Sequence, residues 1–373
     1  MNLIKKLVLV IICLLASIYL PIDTTKADES KLNEEVETTL KQMFAERAYT
    51  LVDRKTDRLQ KYYFTNQALS RNAYQNERNR TAYINEWANK RSIKLVEANS
   101  NIRIIRLNIT EETAKISLVQ SLKISYVYCD KILPAQSFGV GTRHFMTLKK
   151  SNGKWTIERE WYLDPLDENP NKIAEGSNGL APSVKHKTVT HNSKKYNRTR
   201  AVEYANKYAG TAWGAGNKNR YNNKYLDYTS KGGDCTNFAS QVVGDAEEGG
   251  GLPMIGGWRY FYKSGGTKTW VQTDSFSHFL LRSGYANMIA KGDYNGIVSP
   301  SKRYAEGAIS QLQPGDLIGY ILHQDDTDHF SIVVGFDEYG YPLVNSHTAD
   351  RYRVPFDLGW DRNTKYTLIH IKD

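Results

Sequence analysis

The stretch KGGDCTNFASQ, Lys231 to Gln241, sets a cysteine behind two glycines and an aspartate, just ahead of an apolar repeat. Gly232 and Gly233 permit a tight turn that other residues resist. Asp234 is a good N-cap residue. Phe238, Ala239, Val242 and Val243 then recur at helical spacing, so a helix begins at the cysteine and turns its apolar side inward. First-turn N–H groups have no intrahelical partner, and the helix dipole is positive there. Both favour a thiolate, the reactive form of cysteine. The same donors can hold an oxyanion after attack on a carbonyl. The pattern therefore predicts Cys235 as a nucleophile, with oxyanion donors from Gly233, Asp234 and Cys235.

The remaining cysteines do not compete with this reading. Cys13 lies in the N-terminal apolar run, which leaves Cys129 and Cys235 in a long chain. A disulfide framework needs more. The N-terminus, MNLIKKLVLVIICLLASIYLPIDTTKA, has Lys5 and Lys6, then Leu7 to Leu20, then Thr25-Lys26-Ala27 as a small-x-small cleavage site. Residues 1–27 are expected to be a cleavable signal peptide, and the product secreted or cell-wall associated. A membrane attachment is expected only if the signal stays uncleaved. Removing Lys5, Lys6, Lys26 and Asp23 takes the net charge from +10 to +8. Outside a cell such a chain meets anionic wall polymers before nucleic acid, so no nucleic-acid partner is expected.

Hydrophobic content of 40% supports ordinary cores, and the length of 373 residues suggests two domains. In LNEEVETTLKQMFAERAYTLV, Leu32, Val36, Leu40, Met43 and Phe44 are helically spaced, and ALSRNAYQNERNRTAYINEWANKRS continues the pattern. IRIIRLNI, TAKISLVQSLKISYVY, GTRHFMTLKK and KWTIEREWYL then read as strands, with KSNGK a hairpin turn. Residues 28–165 are thus expected to form an α+β domain, helices packed on a meander. In pattern it resembles the cystatin-like and nuclear-transport-factor-like cone folds. Residues 166–195 lose periodicity and read as a linker. From Tyr196 the order is a helix ending at Gly210, the cysteine helix, the helix DSFSHFLLRSG, and the strands DLIGYIL, HFSIVVGFD, PLVNSHTA and YTLIHIK. Residues 196–373 form the second expected domain, and the fold class is α+β.

A cysteine that cleaves amides needs a base, usually histidine. His329 opens the apolar strand HFSIVVGFD and can point from the strand start toward the cysteine helix. A third group should orient the imidazole. In LVNSHTAD, Asn345 and His347 share one strand face, and either is placed to do so.

GGDCTNFASQ, then PGDLI, HFSIVVG and VNSHTADRYRVP, resembles the bacterial putative amidase domain family of the papain-like cysteine amidohydrolase superfamily. The resemblance spans about residues 196–370. It implies a papain-like domain with the cysteine helix on an antiparallel sheet, Cys235 as nucleophile, His329 as base and His347 as third member, with Asn345 as the alternative. Asp234, Asn237 and Gln241 belong to the same signature and read as supporting: Asp234 as helix cap, Asn237 bracing the loop, Gln241 reaching loop carbonyls. Trp258 and Trp270 are candidates to line the cleft.

The expectation is a secreted cysteine amidohydrolase with no cofactor and no metal, acting on peptidoglycan or another extracellular amide. HQDDTDH, His323 to His329, matches no standard zinc or calcium loop. The competing readings are a non-catalytic wall-binding module on a degenerate papain-like fold, and a secreted cysteine protease or toxin.

Overall fold

The computed structural model describes residues 24–166, 168–176, 182–183 and 195–373. The expected signal peptide lies almost wholly outside these residues, as does most of the expected linker. Among the described residues no helix is long and apolar enough to cross a membrane.

The chain is mixed helix and antiparallel sheet, as its patterning predicts. Helix α1 (Thr24–Asp53) and helix α2 (Ala68–Lys90) precede the meander β1 (Ile93–Ile109), β2 (Thr113–Tyr128), β3 (Gln136–Ser151) and β4 (Lys154–Tyr162). Asn152 and Gly153, both at positive φ, make the β3–β4 turn, as NG between strands predicts. Helix α3 (Arg198–Lys207), helix α4 (Cys235–Gly244) and helix α5 (Thr273–Arg282) follow. Next come β5 (Ala286–Asp293), β6 (Leu317–Ile321), β7 (His329–Phe336), β8 (Pro342–Ser346), β9 (Asp350–Pro355) and β10 (Lys365–Ile371).

All of these strands belong to one ten-stranded sheet in the order β1-β2-β3-β9-β8-β7-β6-β10-β5, with β4 also on β3. One edge of β3 is shared. Its second half pairs with β4, and Gly139 to Gly141 pair with Asp350 to Tyr352 of β9. The meander and the C-terminal strands are thus joined edge to edge.

On one face of the C-terminal strands, Phe330, Ile332, Val334, Leu343 and Ile369 form a core with Phe238 and Val242 of α4 and Ala201 and Ala205 of α3. On the other face, Tyr320, Val333, Val344 and Leu368 pack in a core that includes Tyr83 and Trp87 of α2. Within the expected linker, Leu166 and Ile173 are buried in that second core, and the Ala174 carbonyl accepts from Arg91.

The face that carries α3 and α4 continues onto the meander. There Gly139 and Gly141 admit the loop after α3 against the strand; a Cβ on Gly139 would lie 1.9 Å from the Trp213 carbonyl oxygen. Beyond this contact that face of the meander is open, with Phe145 and Trp161 exposed.

Candidate active site

The predicted turn before α4 is present. Gly232 and Gly233 have φ of +100° and +124°. The Asp234 N–H donates to Thr348 Oγ1 at 2.7 Å, which ties the turn to the β8–β9 connection. Cys235 is the first helical residue.

Asp234 occupies the N-cap position, but its carboxylate does not cap the helix backbone. Oδ1 accepts from the Tyr228 N–H and from Asn237 Nδ2, and Oδ2 lies 2.6 Å from His347 Nδ1. Asn237 does brace the loop: Nδ2 also donates to the Leu226 carbonyl, and Oδ1 accepts from Trp270 Nε1 at 2.9 Å. Gln241 differs from expectation. Its Oε1 accepts from the Tyr204 hydroxyl on α3, so it links two helices rather than reaching loop carbonyls. Trp258 and Trp270 do not line a cleft. Both are wholly buried and stacked 5.0 Å apart behind the cysteine helix, and Trp258 Nε1 donates to Ser240.

Cys235 is buried, and burial pushes its thiol up from the ordinary value. The Phe330 backbone N–H and the Thr236 hydroxyl oppose that shift, while the charge of Asp234 adds to it. Desolvation thus works against the resting thiolate expected from the helix start alone. Two of the expected oxyanion donors are also engaged: Gly233 N–H with the Tyr228 carbonyl, and Asp234 N–H with Thr348.

The structure packs the cysteine helix on β7, with Phe238 and Val242 against Phe330 and Ile332, and Phe330 follows His329 directly. The His329 ring turns to the other sheet face. It sits 5.6 Å from Tyr320 and 5.4 Å from Trp360, between ring centroids. Its Nε2 is buried without a hydrogen-bond partner. Burial, then the positive charge of Arg351, depresses its pKa to about 3. At neutral pH it is a neutral imidazole with a lone pair to accept a proton.

Neither expected third member touches His329. Asn345 donates to the Ala205 carbonyl and Asn206 Oδ1 and accepts from the Arg353 N–H. His347 is held by Asp234 and, through Nε2, by the Tyr208 carbonyl at 2.6 Å. Its ring lies between Tyr221 and Phe238, each 3.7 Å away and nearly parallel. The reason is strand parity. Asn345 pairs with Ile332, on the α3–α4 face, whereas His329 pairs with Tyr320, on the opposite face. Expecting His329 to be oriented by either residue is therefore corrected: both brace the cysteine side of the sheet.

Several residues around the site were not singled out from the sequence: Phe330 as backbone donor, Thr348, Tyr208, Tyr221, and Asp350. Asp350 Oδ2 accepts from the Thr211 N–H and hydroxyl, and Oδ1 from Tyr221. One signal was available. Gly139 and Gly141 fall two apart in a strand, which marks close approach of another backbone on that face.

Residues 195–370 match the model of a family described as a putative amidase domain. No curated protein sequence matches the chain. Among solved structures, one match is a crystal structure described as a putative scytalone dehydratase from Novosphingobium aromaticivorans DSM 12444. It has 16% identity and a TM-score of 0.26, over 36% of this chain and 86% of that one. The segment from 195 to 370, with its Gly-Gly-Asp-Cys helix start and its His329 and His347 strands, is similar to the putative amidase domain family, and amide-bond hydrolysis is the general chemistry that this likeness suggests.

Proposed function

We propose that this chain is a cysteine amidohydrolase in which Cys235 attacks an amide carbonyl and His329 moves the proton. The observation that carries the reading is the packing of α4, which begins at Cys235, on β7, which begins at His329: Phe238 and Val242 share a core with Phe330 and Ile332. It supports pairing Cys235 with His329, whose buried Nε2 has no hydrogen-bond partner.

The resting pair is a neutral thiol and a neutral imidazole. As the sulfur attacks, its proton passes to His329 and the C–S bond forms. Collapse of the tetrahedral adduct breaks the C–N bond, and the imidazolium returns the proton to the leaving amine. Water then cleaves the thioester, or an amine captures it. The scheme requires the His329 ring to leave Tyr320 and Trp360 for the sulfur, and strand parity makes this a movement of the start of β7 together with its side chain. His347 is a positioning residue in this scheme: it holds Asp234 and so the turn that presents Cys235.

Peptidoglycan is the proposed substrate, and a secreted or wall-associated location the proposed setting. Both rest on the N-terminal sequence, the basic charge and the family layout. The test is mass spectrometry of products after incubating purified peptidoglycan with the chain and its Cys235→Ala variant under reducing conditions. New amine ends from the unsubstituted chain alone are expected. Identical products from Cys235→Ala would remove the cysteine from the chemistry.

A further inference from the structure

The open face of the meander lies on the same side of the sheet as the cysteine helix, and it carries a cluster of arginines. Arg103 of β1 pairs with Val119 of β2, and Val119 pairs with Arg143 of β3. The two arginines therefore flank one valine on one face, with backbones about 10 Å apart. Arg220, in the loop after α3, directly precedes Tyr221, whose ring lies 5.1 Å from the Arg143 guanidinium, and this brings it to the same cluster. Burial lowers the Arg103 pKa first, and the charges of Arg220 and Arg143 lower it further, so the three guanidinium groups share one field.

Their counter-charge is incomplete. Arg143 lies 3.2 Å from Asp350 and feels Asp227. Among the described residues, neither Arg103 nor Arg220 has an ion-pair partner, and both are exposed. Ordinary surface arginines scatter, whereas like charges held in register raise each other's energy until an anion arrives. The cluster also connects to the cysteine. Arg143 lies over the Tyr221 ring at 5.1 Å, Tyr221 stacks on His347, and His347 binds Asp234. Farther along the same face, Phe145 and Trp161 form an exposed ring pair 5.9 Å apart.

We propose that Arg103, Arg143 and Arg220 form a carboxylate-binding subsite for an acidic peptide segment of the substrate, laid along the open meander face beside Cys235. Guanidinium forks match carboxylates in a bidentate manner, and the aromatic pair offers apolar contact to an extended chain. Naming the peptide as substrate rests on the amidase reading; the anion site does not.

The experiment separates the two. The intact chain carrying Cys235→Ala is titrated with fluorescently labelled, end-capped hexaglutamate, with hexaglutamine as the neutral control. Hexaglutamate is expected to bind in a salt-sensitive way, and the Arg103→Gln, Arg220→Gln double variant to weaken it about tenfold or more. These exposed side chains hold no structural partner, so thermal unfolding should be unchanged. Equal binding by the double variant, or equal binding of hexaglutamine, overturns the proposal. So does preference for a poly(glycerol phosphate) oligomer over hexaglutamate, which would assign the cluster to a phosphate polymer. If hexaglutamate binds as expected while no amide is cleaved by the unsubstituted chain, the amidase reading fails and the subsite stands.

Discussion

His347 Nδ1 lies 2.6 Å from Asp234 Oδ2, with both side chains buried, and the same ring donates from Nε2 to the Tyr208 carbonyl. Both ring nitrogens thus face oxygen atoms, one a carboxylate and one a carbonyl. Sandwiched between Tyr221 and Phe238, the imidazole clamps the residue that precedes Cys235. Breaking such a buried pair from one side leaves an uncompensated charge and costs about 3–5 kcal/mol. The His347→Ala variant is expected to lose that much stability in urea unfolding. Its Cys235 should also alkylate faster, as the turn loosens. Full stability with activity abolished would instead mark His347 as a group that acts on the catalytic base.

Burial raises the Cys235 thiol above the 9.0 of an ordinary thiol. The rate of iodoacetamide labelling in the folded chain should therefore reach half its maximum at a pH above that value, while urea-unfolded chain titrates normally. An apparent value below the ordinary one would show a resting thiolate–imidazolium pair and would contradict the neutral-pair mechanism.

How much was legible follows from range. The helix start at Cys235, the β3–β4 turn at Asn152-Gly153 and the apolar strand β7 are local patterns, and each is present. The junction of β3 with β9 joins residues about two hundred positions apart. No local spacing encodes such a pairing, and DRYRVP has too many charges to read as a strand within a sheet. Strand parity explains why neither expected third member meets His329. Asn345 and His347 do share a face, as their spacing requires, but which face His329 uses depends on register with β8. The tryptophans went wrong for a related reason: an aromatic run looks alike whether it lines a cleft or packs behind a helix.

The β3–β9 junction makes its own prediction. A Cβ at Gly139 would sit 1.9 Å from the Trp213 carbonyl oxygen, which is backbone and cannot swing aside. Gly139→Ala is expected to destabilise the chain by about 1–3 kcal/mol, the usual cost of overpacking. Gly257→Ala is the control, since its nearest neighbour is a side-chain oxygen at 3.5 Å and no positive φ constrains it. Equal melting temperatures for the two variants would show that the loop after α3 does not seat on the meander.

His329 gives the chain a pH dependence whose sign can be worked out. Its folded pKa is about 3, against 6.5 for an ordinary imidazole. Between those values the unfolded chain binds a proton at this position and the folded chain does not. Stability therefore rises with pH across the window. The contribution is complete above pH 6.5 and is lost progressively as pH falls toward 3. From pH 7 to pH 4.5 the loss at this one residue comes to about 2–3 kcal/mol. A His329→Gln variant keeps a polar side chain of similar reach without the titration. Urea unfolding of both chains at the two pH values should show the unsubstituted chain losing more stability than the variant, by about that amount. An equal loss in both would mean that His329 titrates normally, as an accessible histidine would, and would imply that the ring already lies outside the Tyr320–Trp360 pocket.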